Sequence, residues 1–385
     1  MPDSGNGSRD VEQTEIIEPI QETMEEMYVN MGPQHPSTHG VLRLMLKLDG
    51  EVVTEITPYI GYLHRCHEKI GENRIYTQVI PYTDRLDYLA SMYNNFGYVL
   101  TVERLMGLQV PERAEYMRVI LAEMQRIASH LIWLGTFGLD LGNFTIFMYC
   151  FREREKILDL FESVSGQRLN YSFYRIGGMP LDLPDSFLTD CKAFLEWFKP
   201  RLPEYDAVMS DNIIFQKRVQ GIGKLDQKTA IDYAISGPML RGSGIKWDLR
   251  RNDPYSIYDR FEFEVPVGST GDVWDRYMVR RLEMAESVKI VEQALRDLPP
   301  GEIMGKVPKK LKPPAGDIYS RVESPRGELG FYIASDGSEK PYRYKVRSPA
   351  FVNLSVLPVI GAGHLVADMV AILGSIDIVL GEVDR

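Results

Sequence analysis

Cysteine is scarce in this 385-residue chain: only Cys66, Cys150 and Cys191 occur, and none forms a CxxC pair. An odd count at such spacings argues against a disulfide scaffold and fits a reducing, cytoplasmic compartment. It also excludes a self-contained four-thiolate iron–sulfur or zinc site, so any redox centre is expected to belong to a partner. Histidine is also sparse, with six residues. Positive charge is in deficit, with 44 Lys and Arg against 54 Asp and Glu, a net charge of −10. A surface of that sign excludes non-specific nucleic-acid binding. No apolar run reaches the roughly eighteen residues that a membrane span requires. The first thirty residues are acidic rather than basic and then apolar, so neither a signal peptide nor a membrane span is expected.

What is present is an ordinary globular composition, 44% hydrophobic and 25% charged, on a chain long enough for a sizeable core. Residues 1–26, rich in Gly, Ser, Asp, Glu and Gln, read as a mobile acidic tail, and residues 27–385 as the folded part. Leu42, Leu44, Leu46 and Leu48 alternate with polar neighbours, Asp49-Gly50 follows, and Val52, Thr54 and Ile56 continue the alternation. That pattern predicts a β-hairpin. From Asp84, a candidate N-cap, the period changes to three and four through Leu86, Leu89, Tyr93, Phe96 and Leu100. Further helices are predicted from Pro111 to about 134, from Phe151 to Val164, after Asp185, and from about Asp272 to Leu298. Beyond a Pro/Lys/Gly linker at 301–316, strands return around Leu329–Ile333 and Tyr342–Val346, with Asp336-Gly337 between them. The predicted class is α+β, a helical core flanked by β-rich N- and C-terminal parts.

Several constellations could carry chemistry. Gly32-Pro33-Gln34-His35-Pro36-Ser37-Thr38-His39-Gly40 holds two of the six histidines four residues apart. On a helix they would share a face and could grip a metal. Pro36 opposes helix there, so the segment reads as a kinked loop presenting imidazoles, against the plain alternative of a turn with solvated histidines. His64, Cys66 and His67 are dense in ligand types but lack a convincing fourth donor, and a salt-bridged loop or a proton-handling role is the better reading. Asp84 and Asp87 suit helix capping, with Tyr88 either filling core space or offering a hydrogen bond. Asp140, between Gly138 and Gly142, reads first as a turn residue. Gly361-Ala362-Gly363-His364 resembles a truncated dinucleotide fingerprint, but too little chain follows it to complete a doubly wound sheet.

Together these stretches carry long fixed wording: MGPQHPSTHGVLRL, IGYLHRCHEKI, DRLDYLASM, FREREKI, YRIGG, SGPMLRGSGIKWDLR and GEVDR. From about Tyr28 to Arg385 the chain resembles the quinone-site (D-type) subunit of NADH:quinone oxidoreductase, respiratory complex I. That family is similar in turn to the large subunits of nickel–iron hydrogenases. The resemblance therefore implies a hydrogenase-large-subunit-like helical core. The hydrogenase pattern R-x-C-G-x-C, laid on Arg85 to Ala90, finds Asp87 and Ala90 at the cysteine places. D-P-C-x-x-C, laid on Asp377 to Glu382, finds Val379 and Glu382. All four soft thiolates that nickel–iron chemistry needs are gone.

The resemblance implies a former metal pocket turned into a quinone pocket, with His39 and Tyr88 as quinone-binding residues and Asp140 as the acid contacting His39. Arg65 would give structural and electrostatic support. Reduction to quinol consumes two electrons and two protons, which an imidazole and a phenol can help supply. The chain itself would bind no cofactor: quinone is the substrate, and electrons come from an iron–sulfur cluster in a partner subunit. The implied partners are that cluster-bearing subunit, the C-type peripheral subunit and the quinone-channel membrane subunit, at the cytoplasmic side of the inner membrane. A purely structural scaffold subunit, in the same or a related oxidoreductase with another electron donor, is the competing reading. A surviving hydrogenase is disfavoured by the missing thiolates.

Overall fold

In the computed structural model, residues 26–385 are described. The expected acidic tail lies, apart from Glu26, outside them. The chain is α+β, with a small antiparallel sheet in each of its N- and C-terminal parts and helices between and after them. The N-terminal sheet has the order β1 (Met27–Met31), β2 (Arg43–Asp49), β3 (Val52–Tyr59). Leu44 and Leu46 point into the core, as the period of two requires, but on β3 Val53 and Ile56 are buried while Val52 and Thr54 are exposed, because a bulge opposite Lys47 and Leu48 shifts the expected Val52, Thr54 and Ile56 alternation. The β2–β3 hairpin turns at Gly50, whose φ of 59° is one that glycine adopts without strain. Strand β1 was not anticipated, because its alternation is only five residues long.

The bundle is organised on the helix Glu112–Asp140, which packs against Phe144–Ser165 and Val273–Asp297. Pro111 is its N-cap, one residue before the position expected of a helix-starting proline. The helix runs six residues past the predicted end. Gly135 and Gly138 do not break it because they let the next helix close in: a Cβ on Gly138 would lie 2.1 Å from Ile146 Cγ2. The Phe144–Ser165 helix begins seven residues earlier than predicted, with the Asn143 side chain accepting the Ile146 N–H at 3.3 Å. The last long helix starts just after Asp272, its N-cap and close to the expected start, and Gly166 caps the end of the Phe144–Ser165 helix.

The expected cap at Asp84 is corrected. Asp84 directly follows a shorter helix, Tyr76–Thr83, and the long helix starts at Ser91. Residues 84–90 form a non-helical turn that still buries Leu86 and Ala90. Its apolar residues mimic helical spacing without the helix.

The second sheet is β4 (Gly316–Ser324), β5 (Gly327–Ser335), β6 (Arg343–Arg347), all antiparallel. Its Phe331 and Val322 crowd Gly97 of the Ser91–Met106 helix. Strand β4 was missed because Ser320 occupies one of its inward positions. After β6 the chain is helical: Pro349–Leu354, Leu357–Gly361, Val366–Ile376 and Leu380–Asp384. The glycine pair 361–363 lies at the turn between two of these helices and pairs with the hairpin, Gly363 N–H donating to Val53 O at 2.7 Å. It is not a strand-to-helix phosphate loop.

Arginine is buried to an unusual extent: Arg118, Arg126, Arg241, Arg250, Arg276, Arg280 and Arg326 are all almost fully enclosed. Most are matched by buried carboxylates. Arg126 and Arg250 contact Glu123 at 3.2 and 3.1 Å, and Tyr258 and Ser287 hydroxyls donate to the same carboxylate at 2.7 Å. Despite burial, which opposes ionisation, these partners hold Glu123 down to about 2. Its unfolded-state value is ~4.3, so its stabilisation is present above that pH and is lost as pH falls towards about 2. Replacing Glu123 by Gln should destabilise the fold by about 3–5 kcal/mol at neutral pH. Denaturant unfolding should show that deficit shrinking in acid; a constant deficit across pH would exclude the ionic origin.

Candidate functional site

The histidine loop is a short 3₁₀ turn, Pro36–Thr38, between β1 and β2. His35 caps it: its Nδ1 accepts the Ser37 N–H at 3.2 Å. The Thr38 hydroxyl contacts the carbonyls of His35 and Gly40 at 2.8 and 2.9 Å. This bracing holds His39 at φ 51°, a left-handed conformation costing a non-glycine residue about 1 kcal/mol. The two histidines thus do different work. His35 shapes the loop, while His39 is turned onto Asp140, with Nε2 and Oδ2 2.5 Å apart. Their side chains are 16% and 10% exposed.

Asp140 is the last residue of the Glu112–Asp140 helix, where the negative end of the helix dipole disfavours a carboxylate. His39 Nε2 meets that carboxylate directly. The helix end is fixed by the Asn143 N–H donating to Gly138 O at 2.8 Å, and by Trp133 Nε1 donating to Gly374 O at 2.8 Å.

Tyr88 lies on the turn before the Ser91–Met106 helix. Asp87 builds that turn: one carboxylate oxygen accepts the Leu89 N–H at 3.1 Å, and its carbonyl accepts from Asn94 at 2.9 Å. Tyr88 is left 36% exposed. Burial of the rest of the ring, and then the neighbouring Asp87, push its phenol up, so it remains a protonated donor at neutral pH. Among the described residues no hydrogen bond joins Tyr88 to His39 or Asp140.

The two halves are connected through the Leu380–Asp384 helix. Leu380 packs against Gly40, and a Cβ on Gly381 would lie 2.6 Å from Leu86 O, so only glycine admits this contact. Arg65 clasps the same junction, donating to Arg85 O at 2.7 Å and Gly381 O at 3.0 Å. Asp384 accepts the N–H groups of Gly61 and Leu63 at 2.9 and 2.7 Å. His64 bonds the Asp384 carbonyl at 2.7 Å, while His67 is buried beside Tyr344. These histidines diverge, and with Cys66 exposed they do not form a ligand set.

Asp87 contacts a feature that the sequence did not single out, the Arg326 guanidinium. It donates to Asp87 at 2.7 Å, to Asp377 at 3.0 Å and to Ser129 at 3.0 Å. Arg326 is 1% exposed. Carboxylates and a fixed cation do not fit a soft metal, and the guanidinium is already shared between two of the acids that a cation would need. The only local signal for it was Ser324-Pro325-Arg326-Gly327, a tight-turn sequence that normally places arginine outside.

Two open clefts flank this junction. One, of about 970 Å³, is lined by Pro33, Gln34, His35, Pro36, Val41 and Tyr62. The other, about 730 Å³, holds Arg65, Arg74, Arg85, Gln78, Pro81 and Tyr82. Among the described residues Arg65 and Arg74 make no ion pair, and Arg85 has only a 3.5 Å contact with Asp84.

Comparison with known proteins points first to a class, the respiratory-chain dehydrogenases. Residues 140–314 and 306–385 match the family model described as "Respiratory-chain NADH dehydrogenase, 49 Kd subunit". The D-type NADH-quinone oxidoreductase subunit of Dehalococcoides mccartyi is 59% identical over 362 residues, covering 94% of this chain and 99% of the relative. The D-type subunits of Geobacillus kaustophilus and Bacillus anthracis are 54% and 53% identical over 361 residues, covering 94% of this chain and 98% and 99% of theirs. The chain belongs to this family, the 49-kDa or D-type subunits of complex I.

Replacing Arg326 by Gln would leave Asp87 and Asp377 without their shared cation. Unfolding should then be easier by about 3–5 kcal/mol at neutral pH. The loss should shrink as pH falls and Asp87, whose carboxyl is pushed up by burial, takes on a proton in the folded chain. Denaturant titration at several pH values measures this, and a pH-independent loss would show that packing alone is at stake.

Proposed function

We propose that this chain, assembled in proton-translocating NADH:quinone oxidoreductase, forms the site for the quinone head group and supplies hydrogen bonds and protons for its reduction to quinol. The observation that carries the reading is the His39–Asp140 pair at 2.5 Å, joined through the Leu380–Asp384 helix to the turn that carries a partly exposed, protonated Tyr88. A head group bridging the two would receive a hydrogen bond from an imidazole on one side and from a phenol on the other. As electrons arrive, the quinone oxygens become basic. His39 gives up a ring proton and its charge compensation by Asp140 ends, which draws in a replacement proton. Tyr88, whose proton is held tightly, releases it only to a strongly basic oxygen, late in reduction.

The apolar cleft beside the histidine loop suits a quinone approaching with its hydrophobic tail behind it. The arginine-lined cleft suits a partner with negative charge, and a cluster held by four thiolates is such a partner. We assign the cluster-bearing subunit to that face. The C-type peripheral subunit and the quinone-channel membrane subunit complete the set of neighbours, on the cytoplasmic side of the inner membrane. No helix among the described residues is long and apolar enough to cross a membrane, which agrees with a peripheral position.

In the assembled complex, Tyr88→Phe should lower quinone reduction by about 10²-fold, the usual contribution of a positioned proton donor. Electron flow from NADH to an artificial acceptor that bypasses the quinone should persist. Unchanged quinone turnover would sink the direct role and favour a scaffold subunit.

A further inference from the structure

Behind Tyr88 the core encloses more negative than positive charge. Asp87, Asp377 and Glu382 supply three carboxyls, and Arg326 and Arg280 supply two guanidiniums, all of them buried. Arg326 bonds Asp87 and Asp377, each through a different terminal nitrogen. Arg280 reaches Asp377 Oδ2 only at 3.8 Å, too far for a hydrogen bond. Two carboxylate oxygens therefore have no hydrogen-bond partner: Asp377 Oδ2 and Glu382 Oε1. The other Glu382 oxygen accepts the Ala350 N–H at 3.1 Å. Asp377 still has Arg280 nearby, whereas the orphan oxygen of Glu382 faces no cation within ion-pair distance.

A third ionised carboxylate in such surroundings is costly, and an orphaned oxygen on it adds to the cost. One proton removes both penalties. We infer that Glu382 carries an exchangeable proton and, by holding or losing it, sets the charge of the buried cluster beneath Tyr88. Glu382 is a positioning residue in this scheme. It touches no substrate and acts through Asp87, which lies next to Tyr88 in the chain, and through Arg326.

The surroundings agree from each side. The groups around Glu382 are Asp87 from the Tyr88 turn, Arg326 from the β4–β5 turn, Ser348, which caps the Pro349–Leu354 helix, the Ala350 N–H within that helix, Arg65 above Gly381, and Asp384 on its own helix. Burial and then Asp87 push the Glu382 carboxyl up, to about 8, while Arg326 and the Ala350 N–H oppose this only in part. When the proton is present the cluster is neutral; when it is absent the cluster is negative, and a negative cluster holds the Tyr88 proton more tightly. Loss of the Glu382 proton should therefore slow the step in which Tyr88 gives up its own. The expected signature is an alkaline fall in quinone turnover.

This inference rests in part on the quinone-site reading, and the test separates the two. Glu382→Gln has the shape of the protonated acid and cannot ionise. In the assembled complex, electron flow to an artificial acceptor checks that the variant is intact. Infrared difference spectra taken across an alkaline pH step should show a protonated-carboxyl C=O band in the native enzyme that is lost in E382Q. Quinone turnover in E382Q should keep its neutral-pH value into the alkaline range, where the native enzyme falls several-fold. Retention of the band in E382Q, or an alkaline limb identical to the native one, would overturn the proposal. If the quinone-site reading itself were wrong, Tyr88→Phe would leave turnover unchanged while the infrared result on Glu382 stood.

Discussion

The Arg326 guanidinium is the point on which the candidate site depends. It joins three segments far apart in sequence: Asp87 on the Tyr88 turn, Ser129 in the middle of the longest helix, and Asp377 between the last two helices. Removing such a group from water is expensive, and a buried ion pair seldom repays more than that expense. Its value is geometric. The planar fork accepts partners only in fixed directions, so the Tyr88 turn and the C-terminal helices must sit in one relation to each other. The same turn carries Tyr88, and the same terminal helix presses on the histidine loop through Leu380 and Gly40. One cation thus sets the relation between two loops that share no hydrogen bond.

Much of the fold was legible because its signals are local. The β2–β3 hairpin needs only alternation and an Asp-Gly turn, and the long helices need only an apolar stripe and a cap. Where the reading failed, tertiary packing had replaced the local rule. Leu86 and Leu89 looked helical because they pack inward, yet Asp87 draws the backbone into a turn and delays the helix to Ser91. Gly135 and Gly138 looked like an end to the helix, yet they serve close approach to the next one. The C-terminal helices are short, and their packing around the Arg326 cluster and the hairpin edge replaces the length that a local prediction relies on.

The site was legible in a different way. His39 and Asp140 are 101 residues apart, and no spacing rule connects them. The proline between His35 and His39 argued against a metal pair, and the loop geometry agrees: one ring caps the turn and the other leaves it. The pairing with Asp140 came from the resemblance to the D-type subunits, and the structure brings the two side chains to 2.5 Å. Arg326 had no such signal. An arginine in a Ser-Pro-Arg-Gly turn reads as solvent-facing, and only the assembled fold shows the two carboxylates that enclose it.

Soft thiolates hold a cation by covalent character, and hard carboxylates hold one by charge. The interior of this chain pairs Asp87 and Asp377 with the Arg326 guanidinium and leaves one Glu382 oxygen without a hydrogen-bond partner. Its electrostatics can then act outward on Tyr88 instead of inward on a metal. The cluster has three acids and two bases, so its charge is not fixed by composition alone but by where one proton resides. A phenol above such a cluster has a proton affinity that follows the cluster's state. His39, paired with a single carboxylate on the other side of the junction, lacks that dependence. Under the proposed quinone-site reading, Tyr88 and His39 are therefore inequivalent donors.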